Sequence, residues 1–566
     1  METIRTLKKT QKVRDMSRPN PVDFNNVTLA SRGKKAVEKT ILLVDFYRIR
    51  RKVALPLPLA TIPELPPAVG AIEVYPWLTW ISWEIENRAL SLCAAARSDV
   101  SGRTAEILRR DVNAVCQWDP TVLAASHALP TSHLLRVLSN LAEQPELKGV
   151  PMQNYLDQLL GALAGALEAR KAVLRDEARS GNEWPKPFYN INCILVFAMA
   201  AASARIDHPS RREIEPVARE MMVSLADARR AGWTEGWSYD AYVQDFLADW
   251  LLASPNESFS AIYPALKPSL VEPFQLTLPG AGFLPPLLGD SECPEMPFHW
   301  SAAAKWLELT GDEDLAAGLQ LADAVAISSD ALLWWPADSE AAILQSPHVA
   351  MHSPNAVIIT SETSDFKVTA GASRCQNGHL HADRGHVCIG SCGYWIVQDP
   401  GYRQYLRTSE HTFATGPTAH NLPVVNGFGQ ALEGVRALPL EWPHPRLNGD
   451  VYMNLTCLYP RELALVELSR SIRVGATVEI DDLIVPASET LSLDYYWHFH
   501  PKAFLGEIDD GLLIAIGDAT WRMNCSACRL SLEQVSRLRG SRGQQTLKVN
   551  LPATGPTQVR WSFGKE

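Results

Sequence analysis

The densest chemistry in the chain lies in residues 377–421, NGHLHADRGHVCIGSCGYWIVQDPGYRQYLRTSEHTFATGPTAHN, which hold five of its 14 histidines: His379, His381, His386, His411 and His420. Imidazoles gathered in this way suit metal ligation or proton transfer near neutral pH. His379 and His381 stand two apart, and on an extended segment that spacing turns both rings to one face. Residues 387–391 and 394–398 read as two strands joined by Cys392-Gly393, a two-residue hairpin loop. In that register Ser391 pairs with Tyr394, and Asp399 falls opposite His386, near the His379/His381 pair. His420 arrives after a loop. Two imidazoles and a carboxylate, with a fourth position left open, suit zinc. Taken singly, each histidine could equally be a surface or core residue; their clustering argues for one divalent ion.

Two further motifs carry less. Cys525 and Cys528 form a lone CxxC without a second pair and read as inert. His498 and His500 repeat the two-residue spacing, but no carboxylate motif lies beside them, so they read as sandwich residues.

The elements that must position these groups divide near Trp335-Pro336. Upstream, Met152, Leu156, Leu159, Leu163 and Leu167 recur at three- and four-residue steps, as do Ile214, Val217, Met221 and Leu225. Several such helices joined by short Pro/Gly/Asp breaks predict antiparallel helix pairs closed, or nearly closed, into an (α/α) toroid; periodicity alone does not separate a toroid from a bundle. Downstream, residues 546–551 (TLKVNL) and 559–563 (VRWSF) alternate apolar and polar side chains, as half-buried strands do. The expected class is therefore multi-domain α+β, an N-terminal (α/α) toroid followed by a C-terminal antiparallel β-sandwich. Three regions follow: residues 1–70 as a basic leader and Pro-rich linker, 71–335 as the toroid, and 336–566 as the sandwich.

Composition bounds the function classes. With 566 residues, 46% hydrophobic and 20% charged, the chain reads as a soluble globular protein of two or more domains. No apolar run is long enough for a membrane helix. Ten cysteines in this length do not make a disulfide framework, and the basic N-terminus lacks the apolar stretch of a secretory signal, so a reducing cytoplasm is the expected location. Residues 1–52 carry 14 Lys/Arg against 5 Asp/Glu, a local charge of +9 that leaves −19 for the rest. The leader reads as a loosely docked tail, and the acidic body argues against general nucleic-acid binding. The oligomeric state is left open.

The histidine segment resembles the C-terminal domain of the heparinase II/III-type polysaccharide lyases. That family carries an HxHxDxGxF-like pattern, a hairpin ending in DPG, and a downstream AHN. Here His379-Leu380-His381-Ala382-Asp383-Arg384-Gly385-His386 is followed by Asp399-Pro400-Gly401 and Ala419-His420-Asn421. The resemblance implies that His379 lines the catalytic centre and that His381, Asp399 and His420 hold zinc. His386-Val387 departs from the family's usual Ser-Phe, and by the hairpin argument His386 supports Asp399. In the helical half, Glu235-Gly236-Trp237-Ser238-Tyr239 is similar to the family's EGxxY segment, which implies Tyr239 as catalytic acid/base, with Tyr242 three residues on as a substrate-side fallback. Tyr189-Asn190-Ile191-Asn192 opens an apolar helix where the family has a carboxylate-binding Asn, and the choice between Asn190 and Asn192 stays open. Gly289-Asp290-Ser291 also matches a family segment, read as structural. Each of these has a plainer reading: Tyr239 and Tyr242 suit helix packing, and Asn190 and Asn192 suit a helix N-cap.

The chemistry so implied is β-elimination beside a uronic acid. The substrate carboxylate must be neutralised, the proton on the adjoining carbon removed, and the leaving oxygen protonated. Asn donors can do the first. Tyr and His can do the others, with Tyr needing a nearby positive charge because its ordinary pKa is about 10. Arg374, Arg384, Arg403 and Arg407 flank the histidines and bias the cleft toward an anionic polysaccharide or oligosaccharide, with Arg403 and Arg407 as substrate contacts. Two rivals stand beside this reading. A glycoside hydrolase on a similar toroid would need two carboxylates across the bond, and Glu235 and Asp240 are the nearest candidates. A non-catalytic carbohydrate-binding protein would keep the metal for stability alone.

Overall fold

Why the first half closes into a ring is visible in where its apolar residues go. The computed structural model describes residues 24, 27–37, 41–42, 54–55, 75–126, 128–179, 190–278, 285–291, 298–320, 328–334, 351–361, 363–374, 379, 381–401, 409–431, 438, 442–445, 450–487, 490–539, 541 and 543–566. Its helices are α1 (Val27–Ala36), α2 (Tyr75–Ala96), α3 (Arg103–Val115), α4 (Pro120–Ser126), α5 (Ala128–Leu141), α6 (Met152–Arg179), α7 (Asn190–Arg205), α8 (Arg211–Arg230), α9 (Trp237–Ala253), α10 (Tyr263–Leu276), α11 (Phe298–Thr310), α12 (Glu313–Gln320) and α13 (Ser329–Trp334). Helices α2, α5, α7, α9, α11 and α13 each pack on the next, and α13 returns to α2, so they close an inner ring. The outer helices α3 and α8 are amphipathic: α8 buries Ile214, Val217, Met221 and Leu225 and exposes the charges between them. Inner helices have no such face. Every residue of α9 is buried, which is why its sequence is apolar nearly all round. The ring is stitched shut by Ser329, whose backbone N–H donates to Asn87 Oδ1 at 2.8 Å and whose hydroxyl lies 2.8 Å from that of Ser91.

The basic leader is not wholly a loose tail. Helix α1 lies on α2 with Phe24 and Leu29 fully buried. The approach is close enough that a Cβ on Gly33 would meet the Ser91 carbonyl at 1.9 Å, so only glycine fits there. A short ribbon, β1 (Ile41–Leu42) and β2 (Ala54–Leu55), follows. Most of the expected Pro-rich linker, and the boundary at Trp335-Pro336, lie outside the described residues.

The second half is antiparallel throughout its described pairings. Strands β3 (Met351–His352), β4 (Ala356–Thr360), β5 (Lys367–Gly371), β6 (Val387–Ser391) and β7 (Tyr394–Val397) form one sheet in sequential order. After α14 (Ser409–Ala414) come β8 (Val424–Val425), β9 (His444–Pro445), β10 (Val451–Asn454), β11 (Leu465–Val474), β12 (Thr477–Pro486), β13 (Leu491–His498), β14 (Phe504–Ile508), β15 (Gly511–Ile516), β16 (Ala519–Cys525), β17 (Val535–Ser536), β18 (Thr546–Ala553) and β19 (Thr557–Lys565). They make an eight-stranded sheet, β14-β15-β16-β19-β12-β11-β10-β9, and a four-stranded sheet, β17-β18-β13-β8. Trp497, Trp521, Trp561 and Phe563 fill the core between them. The toroid-plus-sandwich class expected from periodicity is the one observed.

Among the buried contacts that join the halves, two are made by the end of α10. Lys367 on β5 donates to the carbonyls of Gln275 and Thr277 at the end of α10, at 2.5 and 2.7 Å, where the helix presents its negative pole. Glu272 on α10 accepts from Ser353 Oγ, the Asn355 backbone N–H and Asn355 Nδ2 at 2.6, 2.7 and 2.7 Å.

Candidate active site at the seam of the two halves

The hairpin forms where the sequence places it, with one difference. Ser391 pairs with Tyr394, and Cys392 and Gly393 take φ of 51° and 77°, as a primed turn requires. A bulge between Ile389 and Gly390 then shifts the register, so Ile389 faces Val397. Asp399 is therefore not directly opposite His386 along the backbone, yet His386 Nε2 still lies 3.7 Å from Asp399 Oδ2.

His386, Asp399 and His420 offer ligand atoms that all lie within 4.8 Å of one another, and all three are buried. His420 Nδ1 is 2.8 Å from Asp399 Oδ2, so its N–H donates there and leaves the Nε2 lone pair; Nε2 is buried with no hydrogen-bond partner among the described residues. An orphaned imidazole nitrogen beside a buried carboxylate fits a divalent cation. Burial pushes Asp399 up, but its electrostatic attraction to His420 and the hydrogen bond between them outweigh it and hold the carboxyl well below its usual range. Burial pushes His386 down to about 3, so it is neutral. Its Nδ1 accepts the Asn421 backbone N–H at 3.0 Å, so Nε2 carries the proton and points it toward Asp399. Nε2 is thus the His386 atom that faces Asp399, at a separation longer than a hydrogen bond.

His381 is not in this compact group. Its Nε2 lies 2.8 Å from Asp290 Oδ1, and its ring centroid is 5.7 Å from that of His420. Of the three expected ligands, Asp399 and His420 meet directly, while His381 is turned to a carboxylate that the sequence reading left as structural.

His379 sits where the halves meet. Its ring stacks on Tyr239 with centroids 3.8 Å apart and planes within 11°. Its Nε2 is 3.1 Å from Asn190 Nδ2, and its Nδ1 is 3.0 Å from Asp290 Oδ2. Asn190 is the first residue of α7 and Tyr239 lies in the first turn of α9, so two helix N-termini point their positive ends here. The EGxxY segment explains itself locally. Gly236 has φ of 96°, a value that favours glycine, and starts α9. Asp240 Oδ1 accepts the Glu235 N–H at 2.9 Å, and Glu235 Oε2 accepts the Asn190 N–H at 2.9 Å, tying α9 to α7. Burial pushes Glu235 up to about 7, with His379 and Arg229 pulling the other way. Glu235 Oε1 and Asn190 Oδ1 are buried without hydrogen-bond partners among the described residues.

The other expected residues divide as follows. Asn192 is half-buried in the first turn of α7, while Asn190 is the one whose amide meets His379. Tyr242, expected on the substrate side, is corrected to a core residue: its ring stacks on Phe298 at 3.8 Å and its hydroxyl is 2.6 Å from His133 Nε2 inside the helical ring. The reason is helical geometry: three residues along, Tyr242 keeps nearly the same face but lies about 4.5 Å further up a helix that is buried on every side. Arg403 and Arg407 lie outside the described residues. Arg384 is buried, with Nε donating to the Ser373 carbonyl at 3.0 Å, which makes it a brace for the loop. His498 lies 2.9 Å from Thr546 Oγ1 and 2.9 Å from the Thr418 carbonyl, the sandwich residue it was expected to be.

Asp290 and Glu235 are the residues that sequence reasoning undervalued. A signal for Asp290 was present: it is the one charged residue in 273–291, and a lone carboxylate in an apolar stretch needs a partner.

The class defined by this architecture is a helical toroid joined to an antiparallel β-sandwich, with a His/Asp/Asn/Tyr group at the seam. Residues 351–562 match the family described as Heparinase II/III-like, C-terminal. No curated protein matches the chain in sequence. Solved structures match its fold: a heparinase III (11% identity, 96% of this chain and 92% of that one, TM-score 0.58). A mutant heparan sulfate lyase, HepC, from Pedobacter heparinus also matches (10% identity, 97% and 86%, TM-score 0.58). A heparinase III with methylated lysines covers 98% of this chain and 86% of its own at 10% identity and TM-score 0.57.

Proposed function

We propose that this chain is a polysaccharide lyase that cleaves uronate-containing glycans by β-elimination. The observation that carries the reading is the meeting of Asn190, Tyr239 and His379, which are far apart in sequence and come from both halves of the molecule. The matched domain and the names of the similar structures support the same class and an anionic glycan substrate.

In this reading the Asn190 amide, rather than that of Asn192, hydrogen-bonds the substrate carboxylate and makes the neighbouring C–H acidic. The carboxylate takes over the amide proton now facing His379 and so releases the His379 Nε2 lone pair. His379 and Tyr239 then divide the proton transfers. One removes the proton beside the carboxylate, whose electron pair becomes the new C=C bond as the C–O bond to the leaving sugar breaks. The other protonates that leaving oxygen. A hydrolase reading is weaker because Glu235 and Asp240 are engaged in tying α7 to α9, not set across a bond.

Zinc held by Asp399, His420 and His381 would supply a fixed positive charge that orders the cleft. Metal analysis tests this without turnover: His420→Ala and His381→Ala should lose the ion and His386→Ala should keep it. Retention in His381→Ala with loss in His386→Ala would assign the third position to His386. The activity itself is tested by a screen of uronate polymers and oligomers, read as new ultraviolet absorbance from a conjugated product. Absence of absorbance with all of them, alongside tight glycan binding, would leave the carbohydrate-binding reading.

A further inference from the structure

We propose that Asp290 is a positioning residue that holds both histidines of the HxH turn through one carboxylate and fixes His379 as the Nδ1–H tautomer. Asp290 Oδ2 lies 3.0 Å from His379 Nδ1, and Oδ1 lies 2.8 Å from His381 Nε2. The backbone repeats the clamp, because the Asp290 N–H donates to the His379 carbonyl at 2.9 Å. Asp290 is nearly fully buried, so its carboxylate needs these donors. Its own loop is held in turn: Gly289, at φ of 59°, donates its N–H to Asp383 Oδ2 at 3.3 Å. The aspartate two residues past the histidine pair thus holds the loop whose carboxylate holds the pair.

The consequence is chemical. A carboxylate only accepts, so Nδ1 of His379 must carry the proton and donate. Nε2 is then a lone pair, and it accepts from Asn190 Nδ2 at 3.1 Å. The imidazole is presented as a base toward the seam while its back is anchored, the logic of a histidine oriented by a buried carboxylate. His381, gripped by the other oxygen, keeps the turn from rotating away from Tyr239, whose ring lies 3.8 Å from that of His379.

The effect on turnover rests on the lyase reading above; the tautomer does not. Asp290→Asn keeps the shape and removes the charge. It should lower kcat by about two to four orders of magnitude with KM changed less than about threefold. In a His379→Ala background the same substitution should cost less than about twofold more, since the residue acts through His379. Nitrogen NMR of labelled histidines, assigned with His379→Gln, should show the Nδ1–H tautomer for His379 in the wild type. An Asp290→Asn kcat within about twofold of wild type overturns the proposal, as does a full multiplicative loss on top of His379→Ala. A wild-type His379 protonated at Nε2 alone also overturns it, and that measurement stands if the variant does not fold. If no uronate polymer is cleaved, the lyase reading fails and the tautomer still decides the role of Asp290.

Discussion

Two buried polar regions in this molecule look alike in composition and differ in how they are closed. Inside the helical ring, Arg136 bonds Glu86 and Asp245, and Lys305 lies 3.0 Å from Asp245 and 2.6 Å from Asp330. The Arg136 guanidinium also sits 3.9 Å from the Phe246 ring centre, and His133 bridges Glu86 and Tyr242 at 2.6 Å each. Each ionised group there faces an opposite charge from a different inner helix. At the seam, by contrast, Asn190, Glu235 and His420 each keep a buried polar atom without a hydrogen-bond partner among the described residues. The ring also leaves Asp330 Oδ1 without a hydrogen-bond partner, but its ionised groups are paired with opposite charges, which fixes architecture, whereas the unpartnered atoms of the seam stand between two bodies, where something can arrive. The seam is also where a His and a Tyr touch across the halves, and the ring is not.

Breaking the ring network should cost stability and leave the seam chemistry alone. Arg136→Met takes the shared guanidinium from two buried carboxylates, Glu86 and Asp245, so unfolding free energy should fall by about 3–5 kcal/mol, read from the denaturant midpoint. A midpoint unchanged within error would mean that the pairs only offset their own desolvation. The two tyrosines of α9 sharpen the contrast. Tyr239→Phe should lower kcat by about two or more orders of magnitude with thermal unfolding nearly unchanged. Tyr242→Phe should do the reverse: activity within about threefold, and a loss of about 1–3 kcal/mol because His133 loses its hydroxyl partner in the core. The same ranking in both assays for both variants would end the distinction between the regions.

What was legible in the sequence follows the same division. Outer helices such as α8 announced themselves because one face meets water and the other does not, and β18 and β19 did so by alternation. Inner helices carry no such signature, so ring closure could be expected but not read. At the site, spacing placed Asp399 near His386 through a hairpin whose turn residues are diagnostic, though the bulge at Ile389 was not foreseeable from them. Tyr239 and Tyr242 were indistinguishable because both lie in a helix buried on all sides. Asp290 stayed hidden for a different reason. Its partners are 89 and 91 residues away, and no local pattern encodes a contact of that range.

The smallest effect concerns how the two halves are held together. Glu272 is fully buried at the contact with Ser353 and Asn355, and burial pushes its carboxyl up from 4.5 to about 7 against the hydrogen bonds that favour its charge. The native state therefore binds this proton more tightly than the unfolded chain does. The stability it contributes is fully present below pH 4.5 and is lost as pH rises through about 7. Glu235, also pushed up to about 7, titrates in the same window, so the wild-type curve alone does not isolate either group. The difference between Glu272→Gln and wild type does. The amide cannot match every donor around it, so the variant carries a fixed cost that is independent of pH. Above that constant, the variant should gain on wild type between pH 4.5 and about 7, at up to about 1.4 kcal/mol per pH unit, measured as denaturant midpoints across the range. Parallel curves would show that Glu272 is ionised throughout, held by Ser353 and Asn355 with less penalty than its burial implies. The junction would then be a permanently charged contact like those of the helical ring.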